Sequence, residues 1–172
     1  MAEKIGLAIL GATGMAGREA LLHQQYLDDV GLQYAEITCV TASPENAGRT
    51  LGEVVGEKEA ALSMAYSFWN PMECPPDLRD LVIRELDAEA IAGKADYAIS
   101  ALDSSIASRI EPELTSRGVN VFSNASAFRW EVPLLIPEVN YEDIAEAESM
   151  AESRGAIHVC NPNCTTSGYV PV

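Results

Sequence analysis

The segment NPNCTTSG, residues 161–168, sets a cysteine between turn-forming asparagines and small hydroxyl residues. Cys164 follows the apolar run AIHVC and a proline turn, which predicts a strand leading into the first turn of a helix. A helix N-terminus favours the thiolate, the nucleophilic form of cysteine. Exposed N–H groups of the same turn suit an oxyanion formed by attack on a carbonyl. The plainer reading is a buried thiol. The second chemistry-bearing stretch is GATGMAG, residues 11–17, which closes one apolar run and opens a helical one. In that setting Gly11 permits a tight turn, Gly14 lets a pyrophosphate approach the backbone, and Gly17 allows close packing of helix on strand. N–H groups from Thr13 through Met15 to Ala16 then face the phosphates, helped by the helix dipole. A glycine turn without a ligand is the alternative, and the strand–loop–helix context favours the nucleotide.

Two further stretches fall where strands should end, SALDSS (100–105) and SNASAFRW (123–130). Ligands of open α/β sheets lie beyond those ends. Small Ser100 and Ala101 let a cofactor lie close, and Asn124 offers it a hydrogen bond. Arg129 presents a guanidinium fork to an anionic group, or else pairs at the surface with Glu131 or Glu138. The stretch CVTASPENAGR has no acid at Val40, Thr41, Ala42 or Ser43 to hold the ribose hydroxyls of NAD. Ser43, Asn46 and Arg49 could instead receive a 2′-phosphate, with Glu45 repelling it. NADP(H) is therefore the expected cofactor.

The elements that position these residues alternate along the chain. KIGLAIL (4–10), YAEITCVT (34–41), ADYAISAL (95–102), VNVFSN (119–124) and AIHVC (156–160) read as strands, and LVIREL as a short one. REALLHQQYL reads as the first helix, and the stretch ending in TSRG as another, capped by Gly118 and kinked or split by Pro112. NYEDIAEAESMAESRG (140–155) is the clearest helix, with Asn140 as its N-cap, Arg154 in its last turn and Gly155 as its stop. ASPENAGRTLGEVVG and NPMECPPDLRD read as loop. Strands alternating with helices define an α/β fold of Rossmann type, a doubly wound, mostly parallel sheet with helices on both faces. One domain spans residues 1–172.

The totals exclude several classes. A net charge of −15 disfavours nucleic acid and anionic membranes as partners. No apolar run approaches the roughly 20 residues that span a bilayer, and no leader-like segment precedes the first strand, so the cytoplasm is the expected compartment. Cys39, Cys74, Cys160 and Cys164 do not form a disulfide framework. The C-x3-C pair has no second pair and no neighbouring histidine, so no metal site is expected.

Taken in order, GATGMAG, ASPENAG, SALDSS, VFSNASAFRW, VPLLIPEVN and NPNCTT resemble the aspartate-semialdehyde dehydrogenase family, especially its archaeal and fungal branch. The resemblance covers nearly the whole chain. It implies reduction of an acyl phosphate, L-aspartyl-4-phosphate, by NADPH through a cysteine thioester, with Cys164 as nucleophile and Asn163 in the oxyanion region. Arg129 matches the arginine that binds substrate phosphate. Thr13, Gly14, Met15 and Ala16 match the pyrophosphate loop, and Ser43 the 2′-phosphate region. The family commonly has a basic residue and a serine where this chain has Glu45 and Asn46. Its members form homo-oligomers and carry a further domain after the nucleophile. That domain supplies the acid–base histidine, and neither His23 nor His158 matches it. The chain thus reads as the N-terminal NADP-binding portion, expected to bind NADP(H) weakly and to turn over negligibly alone. Malonyl-CoA or succinyl-CoA reduction, or cofactor binding without catalysis, are the rival readings.

Overall fold

The structure is a computed structural model that describes residues 5–32, 34–67 and 71–169. In chain order its main elements are β1 (Ile5–Leu10), α1 (Met15–Asp29), β2 (Ala35–Thr41), α2 (Leu51–Ala65), α3 (Ala88–Ala92), β3 (Tyr97–Ser100), α4 (Ser104–Ser116), β4 (Asn120–Ser123), α5 (Pro137–Asn140), α6 (Ile144–Arg154), β5 (His158–Cys160) and α7 (Cys164–Tyr169). The five strands form one parallel sheet in the order β2-β1-β3-β4-β5, so the chain reverses direction across the sheet at β1.

Alternation in β1 shows why helices cover both faces. Leu7 and Ile9 pack with Leu21 of α1 and with Leu51, Val54 and Val55 of α2. Ala8 and Leu10 point the other way, onto Ala88 and Ile91 of α3 and Ile110 and Leu114 of α4. Each large aliphatic side chain so enclosed contributes about 1.5–3 kcal/mol. The expected doubly wound α/β architecture is the one observed.

β2 departs from strict alternation. Its register against β1 shifts between Leu7↔Ile37 and Ala8↔Cys39, leaving Thr38 as the extra residue of a bulge. The bulge turns Cys39 to the face opposite Ile37, although the two are separated by one residue. Thr38 Oγ1 donates instead to the carbonyl of Lys94 at 2.7 Å.

Four expectations require correction. LVIREL is not a strand: Val82 and Arg84 make single bridges to Thr50 and Thr41, and Ile83 between them is buried. The stretch read as loop after β2 contains a 3-10 turn, Pro44–Asn46, and the start of α2. Thr50 accepts from the Glu53 N–H while the Glu53 carboxylate accepts from the Thr50 N–H, a reciprocal cap that outweighs the low helix propensity of Gly52 and Gly56. Pro112 does not split α4, which runs on through it, because Ile110, Glu111, Leu114 and Thr115 anchor the helix on either side of the missing donor. Asn140 stands at the N-cap position of a 3-10 turn, Tyr141–Asp143, that leads into α6, but its side chain makes no cap bond. Its side chain accepts from the Ile136 N–H and donates to the Leu134 carbonyl and to Asp143, so it fastens the preceding loop, and α6 begins only at Ile144.

The glycine loop illustrates the steric demand at its closest approach. A Cβ on Gly17 would collide with the backbone of Gly11 and Ala12, whereas one on Gly14 would meet only the Gly11 carbonyl, at 3.3 Å. Gly17→Ala is therefore expected to destabilise the domain by about 1–3 kcal/mol, and Gly14→Ala by clearly less. Urea unfolding midpoints of the two variants check the difference.

Candidate functional site

The parallel sheet delivers every loop that follows a strand to one edge, where two adjoining regions form. The first is a cleft of about 720 Å³ at the reversal beside β1, lined by Gly11, Thr13, Gly14, Ala42, Ser43, Pro44, Lys58, Ala101, Asp103 and Arg109 among others. Gly11 adopts φ +78°, and a Cβ there would lie 2.7 Å from the Ala101 carbonyl, so the two turns touch through backbone alone. Gly14 is the N-cap of α1, and its own N–H is bonded to the Gly11 carbonyl. The N–H groups of Met15 and Ala16, both exposed, open the helix and have no acceptor within it. This donor set suits a dinucleotide pyrophosphate: first-turn amides, the Thr13 hydroxyl, and backbone that a ligand can approach closely at Gly14.

Some residues singled out in the sequence are elsewhere. Ser100 is fully buried beneath the cleft, and its carbonyl accepts the Asn124 N–H. Asn46 is buried and donates to Ser43 Oγ at 3.2 Å. Arg49 turns away to pair with Glu57 of α2 at 2.6 Å. Ser43 does line the cleft. Beside it the Glu45 carboxyl lies below the ordinary carboxylate range, chiefly through a hydrogen bond from Ser43, with the charge of Lys58 a smaller influence. Lys58 and Arg109 were not singled out in the sequence. For Lys58 the signal was present: it follows Leu51 and Val54 by seven and four residues, a lysine at a buried-stripe position of a capped helix.

The second region joins the ends of β4 and β5. Arg129 Nε donates to the Asn161 carbonyl at 3.1 Å, and its Nη2 to the Asn124 carbonyl at 3.0 Å. The amide of Asn161 donates to Asn124 Oδ1 at 2.7 Å, closing the ring of contacts. Arg129 thus bonds backbone carbonyls rather than Glu131 or Glu138, and its orientation is set without its charge being neutralised. Three residues beyond Asn161, Cys164 opens α7 and is exposed. Asn163 Oδ1 accepts from the Thr165 N–H at 2.9 Å and lies 3.9 Å from Cys164 Sγ, so it caps the turn and holds the thiol.

Beneath this region is a buried polar cluster. Glu111 of α4 accepts from Ser123 Oγ at 2.7 Å through one oxygen and faces His158 Nε2 at 3.1 Å through the other. Ser123 Oγ in turn accepts the Ala125 N–H, shaping the turn that leads to Arg129. Phe128 packs edge-on against the His158 ring. Burial, reinforced by the Glu111 charge, pushes the Cys160 thiol up to about 11. Cys39 and Cys74 are also raised by burial.

Among the described residues no group of three metal-ligating side chains converges, and no helix is long and apolar enough to cross a membrane.

A reversal-point cleft with this glycine loop defines a dinucleotide-binding domain of Rossmann type. A sequence model of the semialdehyde dehydrogenase NAD-binding domain matches residues 6–147. The aspartate-semialdehyde dehydrogenase of Methanothermobacter thermautotrophicus is 36% identical over 166 residues, spanning 94% of this chain and 43% of that protein. The Candida albicans enzyme is 32% identical over 176 residues, with 94% and 42% covered. The crystal structure of the Candida albicans enzyme with NADP superposes with a TM-score of 0.75 at 29% identity, over 98% of this chain and 45% of that one. The chain belongs to the semialdehyde dehydrogenase family and carries its NAD-binding domain. It spans less than half the length of these relatives.

Glu111→Ala leaves His158 and Ser123 without their shared partner and is expected to lower stability by about 1–3 kcal/mol for each group left unsatisfied, read by chemical denaturation. At pH 8 a small alkylating reagent is expected to label Cys164 alone, since Cys39, Cys74 and Cys160 are buried and burial with the Glu111 charge pushes the Cys160 thiol up to about 11. Peptide mass spectrometry of native and unfolded protein distinguishes the sites.

Proposed function

We propose that this domain serves NADPH-dependent reductive dephosphorylation of L-aspartyl-4-phosphate to L-aspartate 4-semialdehyde. The observation that carries the reading is Arg129, held by the Asn124 and Asn161 carbonyls on the segment that runs on to Cys164. A guanidinium that is bonded to the Asn161 carbonyl, three residues before an exposed, helix-opening thiol, suits an acyl phosphate, with the anion on the arginine and the carbonyl carbon against sulfur.

In this reading the Cys164 thiolate attacks the acyl carbon, the C–O bond to phosphate breaks, and phosphate leaves with both bonding electrons. Asn163 orients the sulfur through the turn that it caps. Arg129 binds the phosphate before attack and stabilises it as it departs. Bound NADPH supplies the hydride that reduces the resulting thioester, and the aldehyde is released as sulfur regains its electron pair. The cofactor preference rests on the strand-end loop, which offers no carboxylate at positions 40–43 to hold a free ribose hydroxyl. The NADP-bound Candida albicans relative supports the same preference.

The test is steady-state reduction of aspartyl phosphate and of malonyl-CoA by the complete product of the gene. Activity with aspartyl phosphate is expected, with Cys164→Ala lowering kcat at least about 10³-fold. Arg129→Ala is expected to lower kcat/KM for the acyl phosphate about 10- to 100-fold. Turnover of malonyl-CoA in preference to aspartyl phosphate would overturn the substrate assignment.

A further inference from the structure

The cleft has to distinguish two cofactors that differ by one phosphate on the adenine ribose. The loop after β2, where that ribose lies in Rossmann domains, contributes no cation to the cleft. Its arginine, Arg49, is paired with Glu57, and its one charged residue near Ser43 is the acid Glu45. The cation comes from α2. Lys58 reaches across to the glycine loop, where Nζ donates to the Thr13 carbonyl at 3.1 Å and to Thr13 Oγ1 at 2.9 Å. It lines the cleft together with Ser43 and Pro44 from the end of β2. An ammonium has three donors, and Thr13 takes two.

We propose that Lys58 binds the 2′-phosphate of NADP(H) and sets the preference for it over NAD(H). This rests on the reading of the cleft as an NADP(H) site. The other cation lining the cleft, Arg109 of α4, stands with Glu85 and Asp103 and also lines the neighbouring groove with Asp87 and Glu113. Lys58 is the cation placed between the β2 end and the glycine loop. A compact charge on a flexible stem suits a phosphate monoester, and its anchoring on Thr13 reduces the freedom lost on binding. Glu45 then works against the phosphate. It shares the field of Lys58, and a dianion entering the cleft competes with it.

Calorimetric titration of the 172-residue chain with NADP⁺ and with NAD⁺ tests the assignment. Lys58→Met is expected to weaken NADP⁺ about 10- to 100-fold while leaving NAD⁺ within about twofold, and Lys58→Arg to retain most of the preference. Glu45→Gln is expected to strengthen NADP⁺ selectively. Equal weakening of both cofactors by Lys58→Met would reduce Lys58 to a fastener of the glycine loop and overturn the proposal, as would unchanged NADP⁺ binding. A wild-type chain that binds NAD⁺ as tightly as NADP⁺ overturns the cofactor reading itself, a result separable from any effect of the variants.

Discussion

Four backbone hydrogen bonds placed just past the strands hold the site together. The N–H of Ala12 bonds the Thr41 carbonyl, that of Ala101 bonds Leu10, that of Asn124 bonds Ser100, and that of Asn161 bonds Ser123. Each extends the parallel ladder by about one residue before the chain turns away. The glycine loop, the SALDSS turn, the SNASAFRW turn and the approach to Cys164 therefore leave the sheet from neighbouring, mutually bonded positions. A ligand spanning this edge meets backbone whose polar groups are already organised, which is the condition for binding without large reordering costs.

The electrostatics are local within a strongly acidic whole. A chain of net charge −15 repels anions at long range, so anion binding depends on a few positions where positive charge stays uncancelled. Arg18 and Arg49 are paired with Glu59 and Glu57 and serve packing and surface order. Arg129 and Lys58 are treated differently. Their donors meet carbonyl oxygens and, for Lys58, a hydroxyl as well. Neutral acceptors fix the geometry of a cation and leave its charge for the ligand, and backbone amides at the first turn of α1 add partial charge between them.

Much of this was legible in the sequence because it rests on local signals. A glycine pattern between an apolar run and a helical one requires one kind of turn, and the strands from β1 to β5 lie where their apolar runs predict. α2 was hidden because Gly52 and Gly56 lower its propensity, although Thr50 and Glu53 spell out its cap. LVIREL has strand-like composition, yet Ile83 is buried without a continuous ladder beside it. Pro112 misled because tertiary anchoring overrides a local defect. The commitment of Arg49 to Glu57, the withdrawal of Asn46 from the cleft and the reach of Lys58 to Thr13 are long side-chain choices that no periodicity encodes. The same is true of Glu111, which looks like one more surface acid and is instead buried between Ser123 and His158.

The clasp between β1 and the turn before β3 bears on how the chain assembles. Gly6 donates to the Asp96 carboxylate and accepts from the Asp96 N–H, joining residues 90 apart. β1 is made first and sits in the interior of the sheet, so during synthesis it can pair with β2 early but must wait for β3 on its other side. Until then one edge of this apolar strand stays open, for as long as synthesis takes to deliver the intervening chain. The order of strands that creates the reversal-point cleft is thus also what makes completion of the sheet a late, long-range event on the ribosome.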